Sequence, residues 1–264
     1  SKKQKGASAC RNIGIQKSIG NYIMFLDSDD LVTPDCLTLR AQIFSTYSDY
    51  DFIVFPTGTF YNNIGDNSYV WSPKSNNFLV SFLKHDMKWT ISSPLWKKSV
   101  LNELNGFDED YARYQDVELH TRALLNPNFR FKVFPNHSED NFYRISQERN
   151  LNSVEEQLES GMSGTFTYIA KTFSLLNQDS HKKAIKLSLF VLMNSINYAY
   201  VNNKISIEIV NNFEKAIKSF INRSDNIFNA YDWFYFKTYN TIYRLGFWRL
   251  KGYNFIMKTI FSIL

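Results

Sequence analysis

Two rhythms of apolar and polar positions run along this chain. In the first, short apolar runs alternate with helix-spaced segments. Tyr22-Ile23-Met24-Phe25-Leu26 is continuous and apolar, and it runs straight into Asp27-Ser28-Asp29-Asp30. Its length and lack of alternation predict a strand buried on both faces, as in a parallel sheet. Asp51-Phe52-Ile53-Val54-Phe55-Pro56 predicts a second strand, extended toward Tyr61, and residues 129–134 a last one. Residues 89–96 read as a strand or a pocket-lining segment. Helical spacing covers 7–19, stopped by Gly20. A second helix starts at Thr33-Pro34-Asp35, with Thr33 as N-cap and Pro34 in the first turn, and runs to about Tyr47. Shorter helices are predicted over 78–84 and 97–104. Another opens at Gln115 with Leu119, Ala123 and Leu124 inward. Residues 62–77 and the stretch through Tyr143-Arg144 read as loops, and Asn105-Gly106 as a turn. Helix and strand alternate, which predicts a parallel or mostly parallel sheet in an α/β domain.

The second rhythm begins near Gln147. Apolar residues now recur at helical spacing, as in Phe166, Ile169, Phe173, Leu176 and again in Val210, Phe213, Ile217, Phe220. The run 187–193 fits strand or helix, and its neighbours favour helix. A boundary at 147–153 divides the chain into 1–147 and a helical region, 148–264. Residues 223–264 hold six Lys/Arg against two Asp, interleaved with Tyr231, Trp233, Phe234, Phe236, Phe247, Trp248 and Tyr253. Basic residues mixed with aromatics suit a peripheral helix at a membrane surface. They suit equally a helix whose aromatics pack on the bundle.

Composition narrows the classes. At 264 residues, 44% hydrophobic and 21% charged, the chain has the makings of a packed core rather than a disordered segment. A net charge of +5 is compatible with an anionic ligand or surface, but is too dispersed to argue for nucleic acid. No uninterrupted apolar run reaches the roughly eighteen residues of a spanning segment. Cys10 and Cys36 form no spaced pair, which fits a reduced, cytoplasmic setting.

The chemistry concentrates in Asp27-Ser28-Asp29-Asp30. Three carboxylates this close repel one another and call for a cation or cationic neighbours. At the carboxyl end of a strand, where open α/β sheets bind ligands, they suggest a divalent metal and a phosphorylated ligand. A calcium loop of the EF-hand kind would need Gly and Glu where Val32 and Thr38 stand. Phosphatases of the haloacid dehalogenase type resemble the stretch locally, but carry Thr or Val where Leu31 lies. The third reading is a metal-dependent nucleotide-sugar transferase.

The flanks bear on that choice. Gly6-Ala-Ser-Ala-Cys-Arg11-Asn12-x-Gly14-Ile15, Gly20-x-Tyr22-Ile23-x-Phe25-Leu26-Asp27-Ser28-Asp29-Asp30 and Pro34 resemble the central block of family 2 glycosyltransferases, inverting enzymes of the GT-A fold. Gly106-Phe107-Asp108-Glu109, Gln115-Asp116-x-Glu118-Leu119-x-x-Arg122 and Tyr143-Arg144 continue the likeness. The resemblance implies a GT-A, Rossmann-like sheet that is amino-terminally incomplete, residues 1–147 corresponding to the carboxyl-terminal two-thirds of the domain. It implies Asp27 and Asp29 as ligands of ribose and Mn2+ or Mg2+, with Asp30 adjacent. Asp116 becomes the general base, Gln115 replacing the family's usual Glu beside it. Arg11 and Arg144 are implied at the nucleotide and diphosphate, and His137 is a candidate third metal ligand. The implied partners are a nucleotide-sugar donor, a uridine diphosphate sugar above all, and a glycan or lipid-linked acceptor. The implied setting is bacterial surface polysaccharide synthesis at the cytoplasmic membrane face. A non-catalytic remnant that binds carbohydrate or a partner is the competing reading.

Overall fold

The computed structural model describes residues 6–145, 153–224 and 226–249. These belong to two units, Ser1–Phe82 with Asp86–Arg149, and Leu83–His85 with Asn150–Leu264. The first is mixed α/β and the second is helical.

In chain order the first unit contains α1 (Ala7–Lys17), β1 (Tyr22–Ile23), β2 (Leu31–Val32), α2 (Cys36–Thr46), β3 (Phe52–Val54) and β4 (Thr57–Phe60). It continues with β5 (Val70–Trp71), α3 (Phe78–Leu83), β6 (Pro94–Lys97), α4 (Lys98–Glu103), α5 (Gln115–Leu125), β7 (Phe131–Val133) and β8 (Asn141–Arg144). The strands form two four-stranded sheets, ordered β1-β6-β3-β7 and β2-β8-β4-β5.

The sheets are mixed, where the alternation of elements led us to expect mostly parallel pairing. β3–β7 and β4–β8 are parallel, and the other ladders are antiparallel. β1, β3 and β7 do share one direction, as helix-linked strands should. β6 inserts between β1 and β3 against that direction, so their neighbours become antiparallel.

Three further expectations change. Residues 22–26 are not buried on both sides: Ile23 and Phe25 are buried, whereas Tyr22 and Leu26 are 37% and 47% exposed. That alternation marks a strand with one covered face. The strand predicted from Asp51 toward Tyr61 breaks at Pro56, which has no N–H for a ladder. The chain there passes from the first sheet to the second. Leu31-Val32, given no element of its own in the sequence reading, and Asn141–Arg144, read as a loop, are strands paired to each other (Leu31↔Phe142). Thr33 is consequently not the helix cap; α2 begins at Cys36, with Asp35 before it in a helical conformation.

Phe44, Ile53, Phe55 and Leu95 make a core cluster on the first sheet, with Met24, Ile43, Tyr50 and Phe134 packed around it. Burying each such side chain contributes roughly 1.5–3 kcal/mol. Arg40 is also wholly buried here. Its guanidinium meets Asp140 through two hydrogen bonds of 2.8 and 2.5 Å, donates to the Ser92 and Ser93 carbonyls, and lies 4.6 Å from the centre of the Phe55 ring.

The second unit comprises α6 (Val154–Phe173), α7 (Asp179–Lys186), α8 (Ser188–Val201), α9 (Ile207–Arg223) and α10 (Ala230–Arg244), then a 3₁₀ turn at Phe247–Arg249. Ser153 and Glu156 close a capping box at the start of α6. α9 buries Val210, Phe213, Ile217 and Ile221 along one stripe. α6, α7, α9 and α10 all pack on α8. This central position explains why Asp179–Val201 is long and apolar enough to cross a membrane, yet is half buried within the protein. α10 packs one face on the bundle, burying Phe236, Tyr239 and Tyr243 near Leu187, Phe190 and Val201. Its other face leaves Tyr231 and Phe234 70% and 63% exposed. Packing on the bundle therefore accounts for one face of this helix. Residues 250–264 lie outside the described residues.

Candidate active site

The acidic turn follows β1 and is closed by Asp30 N–H donating to the Asp27 carbonyl, 3.1 Å. Strand β8 holds it from beneath. Asp30 is 6% exposed and its Oδ1 accepts the backbone N–H of Arg144 at 3.0 Å. The Arg144 guanidinium donates to the carbonyls of Asp29 and Tyr61, at 2.8 and 3.0 Å, and lies 4.3 Å from the Phe60 ring centre. Asp30 and Arg144, expected at a ligand, both have atoms committed to shaping the turn.

Asp27 faces the other way. Arg11, on α1, donates to its Oδ1 at 2.6 Å, and the two side chains are 16% and 35% exposed. The Arg11 guanidinium lies 5.4 Å from the Phe107 ring centre, and Phe107 meets Phe25 edge-on at 5.0 Å. The cationic neighbour that crowded carboxylates require is therefore Arg11.

Asp116 stands in the first turn of α5, its Oδ1 accepting the Val117 N–H at 2.9 Å. Burial pushes its carboxyl above the ordinary carboxylate range. The Val117 N–H and the Arg11 charge pull it back, and Asp27 pushes it up again. Asp27 and Asp116, distant in sequence, thus share one electrostatic neighbourhood with Arg11 between their effects. The helix opens on Tyr114 at φ 66°, a left-handed conformation unusual for a bulky residue. Such backbone strain collects at functional sites. Gln115, in the family's Glu position, directs Nε2 toward the Ala112 carbonyl at 3.4 Å.

Two side chains that sequence reasoning did not place in the site hold these pieces together. Asn12, next to Arg11, grips the turn before α5. Its amide donates to the Phe107 carbonyl and Glu109 Oε1, both at 2.9 Å, and its Oδ1 accepts the Phe107 N–H at 2.8 Å. Gly106 has φ 66°, and a Cβ there would collide with Asn12 Oδ1. From the other side Arg122 pairs with Glu118 and donates to the carbonyls of Leu104 and Gly106. The Glu118/Arg122 spacing was readable as a helical ion pair. Arg122's reach to the turn, and the grip of Asn12, left no local signal.

Among the described residues no three His, Cys, Asp or Glu side chains gather to hold a metal. His137 is accordingly not brought to Asp27 and Asp29; it sits against the Ser138 carbonyl and the Phe55 ring. Asp27 and Asp29 offer oxygen donors only, the ligand type of Mg2+ and Mn2+, which bind through one or two carboxylates and substrate phosphates.

An α/β sheet domain of this order with a helical region after it is the architecture of a GT-A glycosyltransferase. The chain belongs to the family described as Glycosyltransferase like family 2, whose profile matches residues 1–205. Its fold is similar to the crystal structure of S. aureus TarS 1-349, with a TM-score of 0.56 at 18% identity, covering 91% of this chain and 72% of that one. Short stretches match curated relatives. An uncharacterized glycosyltransferase of Rickettsia felis is 49% identical over 41 residues, 16% of this chain and 7% of the relative. One from Haemophilus influenzae is 41% identical over 54 residues, 18% of this chain and 22% of the relative. The chain therefore spans less than a quarter of either relative's length.

Proposed function

We propose that this chain transfers a sugar, with inversion, from a nucleotide-diphosphate sugar to a hydroxyl of a glycan or lipid-linked acceptor. The observation that carries the reading is the shared neighbourhood of Arg11, Asp27 and Asp116. Asp116 accepts the proton of the acceptor hydroxyl as that oxygen forms its bond to the anomeric carbon. The bond from the anomeric carbon to the diphosphate oxygen breaks, and the nucleoside diphosphate leaves with the electron pair. A carboxyl raised above its usual range is a stronger base for this step. Arg11 offsets the charge of Asp27 and Asp116, and Arg144 keeps the acidic turn in shape. Bound Mn2+ or Mg2+, held by Asp27 and Asp29, supplies Lewis-acid neutralisation of the departing diphosphate. The family resemblance favours a uridine diphosphate donor and a place in bacterial surface polysaccharide synthesis. The exposed aromatics of α10 beside Lys237 support peripheral contact with the cytoplasmic membrane face.

Asp116→Asn tests the reading. Release of uridine diphosphate from a panel of its sugars, with Mn2+ and acceptor glycans, should fall by about 10²–10⁴-fold. Binding of uridine diphosphate with Mn2+ should be retained. Unchanged turnover in the variant refutes the base assignment. For the metal, Asp29→Ala should weaken Mn2+ uptake measured by electron paramagnetic resonance, and equal uptake removes Asp29 as a ligand.

A further inference from the structure

We infer that Arg11 is the resident counter-ion of Asp27, keeping that carboxylate from a divalent cation until a nucleoside diphosphate draws the guanidinium away. The inference rests on the transferase reading and concerns how its site fills. Arg11 Nη2 donates to Asp27 Oδ1 at 2.6 Å, and the two side chains are 16% and 35% exposed. A charge-assisted bond of this length, partly withdrawn from water, is among the stronger polar contacts a side chain makes. The same guanidinium lies 5.4 Å from the Phe107 ring centre, so it meets both an acid and an aromatic ring.

Asp27 cannot serve this cation and a divalent one on equal terms. An ion on Oδ1 would have to displace the Arg11 N–H. On the other oxygen it would still lie within a few ångströms of a full positive charge, and like charges so close repel. Little in the protein offsets that repulsion, because among the described residues no three His, Cys, Asp or Glu side chains gather for a metal. Asp30 is no substitute, since its Oδ1 already accepts the Arg144 N–H at 3.0 Å. A diphosphate changes both sides of the balance. Its oxygens complete the shell of Mg2+ or Mn2+, and they give the guanidinium an anionic partner that its fork of donors fits.

Arg11 has the means to change partners. A guanidinium carries several N–H donors, and among the described residues the side chain of Arg11 makes a single hydrogen bond to protein, that to Asp27. The remaining donors are available to a ligand's oxygens. The backbone of Arg11 need not move, because neighbouring Asn12 donates to the Phe107 carbonyl at 2.9 Å and accepts the Phe107 N–H at 2.8 Å. Exchange of partners is thus a side-chain rotation on a fixed helix. Its consequence is linkage, in which cation and nucleotide each favour the other's binding by one common factor. Arg11 enlarges that factor by opposing the cation alone and assisting the pair.

Mn2+ uptake by the full chain, followed by electron paramagnetic resonance without and with uridine diphosphate, tests this. Arg11→Gln should tighten binding of Mn2+ alone at least about tenfold, the scale of such a repulsion even in a watery site. In the same variant uridine diphosphate should bind more weakly, and the factor by which each ligand favours the other should shrink. Arg11→Lys keeps the charge and should leave Mn2+ alone close to wild type. If Arg11 instead orients Asp27 for the metal, the sign reverses and Arg11→Gln binds Mn2+ more weakly. Weaker or unchanged uptake in Arg11→Gln therefore overturns the inference, and the transferase reading stands so long as Asp29→Ala still reduces uptake. Adding Asp27→Asn to Arg11→Gln should abolish the gain; a gain that survives it places the ion elsewhere and overturns the inference too. No uptake in any variant, with or without nucleotide, removes the metal assignment itself and this inference with it. Circular dichroism like that of wild type shows that the variants are folded.

Discussion

Replacing His120 by phenylalanine isolates one pH-dependent contribution to stability. His120, on α5, is wholly buried. Its ring stacks on Trp96 at 5.8 Å with planes 5° apart, and meets Trp89 and Phe82 at 5.7 and 5.3 Å. Neither ring nitrogen has a hydrogen-bond partner among the described residues. Burial therefore pushes the imidazole down to about 3 from 6.5. Because the folded value lies below the unfolded one, the unfolded chain takes up a proton that the folded chain refuses. Stability from this source is complete above about pH 6.5 and declines toward pH 3, by roughly 1.4 kcal/mol per unit. At pH 5.5, above the range of the carboxylates, the loss should be about 1–1.5 kcal/mol. Phenylalanine removes two unpartnered nitrogens, a gain of about 1–3 kcal/mol. It also adds volume to a filled site, at a cost of about 1–3 kcal/mol, so the two variants should differ little at pH 7.5. Urea unfolding followed by tryptophan fluorescence suits the assay, since Trp89 and Trp96 touch the mutated ring. His85, in the second unit, is also held to about 3 by burial and titrates over the same window, so some slope should remain. The reasoning is refuted if wild type and His120→Phe lose equal stability between pH 7.5 and 5.5.

Two other perturbations follow from the geometry. Asp140→Asn leaves the wholly buried Arg40 charge uncompensated, which should cost about 3–5 kcal/mol in urea unfolding, whereas replacing both partners by apolar residues should cost much less. Burial raises the Asp140 carboxyl, but Arg40 outweighs it and the net shift is downward, so its contribution is present above the unfolded value of 3.8 and should fade as pH drops below that; a pair contribution that does not decline on acidification below 3.8 argues against it. Asn12→Ala removes the grip on Phe107 and should cost about 1–3 kcal/mol, lowering kcat more than it raises the donor KM. Since Gly106→Ala strikes the same contact, the double variant should cost less than the sum of the singles, and additive losses would show that the contact is not shared.

Legibility in the sequence followed the range of the forces involved. α1, α2, α5, α6 and α9 could be placed because helical spacing is local. The acidic turn was visible for the same reason. Strands β2 and β8 were not, because Leu31 is extended only by pairing with Phe142, far along the chain. The apolar β3 was readable, but not its interruption, since a proline marks a break without saying that the next residues join another sheet. The burial of Arg40 was invisible, because an arginine in an amphipathic helix reads as solvated until its Asp140 partner is known. Asp116 was found through resemblance and not through spacing. Its neighbours Tyr114 and Asn12 were missed because backbone strain and a helix-to-turn clamp have no periodic signature.

The electrostatic influence of Asp27 on Asp116 follows from one short turn gripped from two sides. α1 supplies both Arg11, which meets Asp27, and Asn12, which meets Phe107. α5 supplies both Asp116 and Arg122, which meets Gly106. The Gly106-Phe107 backbone is therefore the common reference for the two carboxylates, and Phe107 adds its ring beneath Arg11. Glycine at 106 is required twice, by the left-handed φ and by the approach of Asn12. The motif residues on either side of this turn read as separate chemical groups in the sequence, but they act on one another only because the turn admits both helices. Activity should accordingly be more sensitive to Gly106 and Asn12 than their lack of reactive chemistry suggests. Substitutions on the exposed face of α1, such as at Ile13, should matter little to the relation between the two acids.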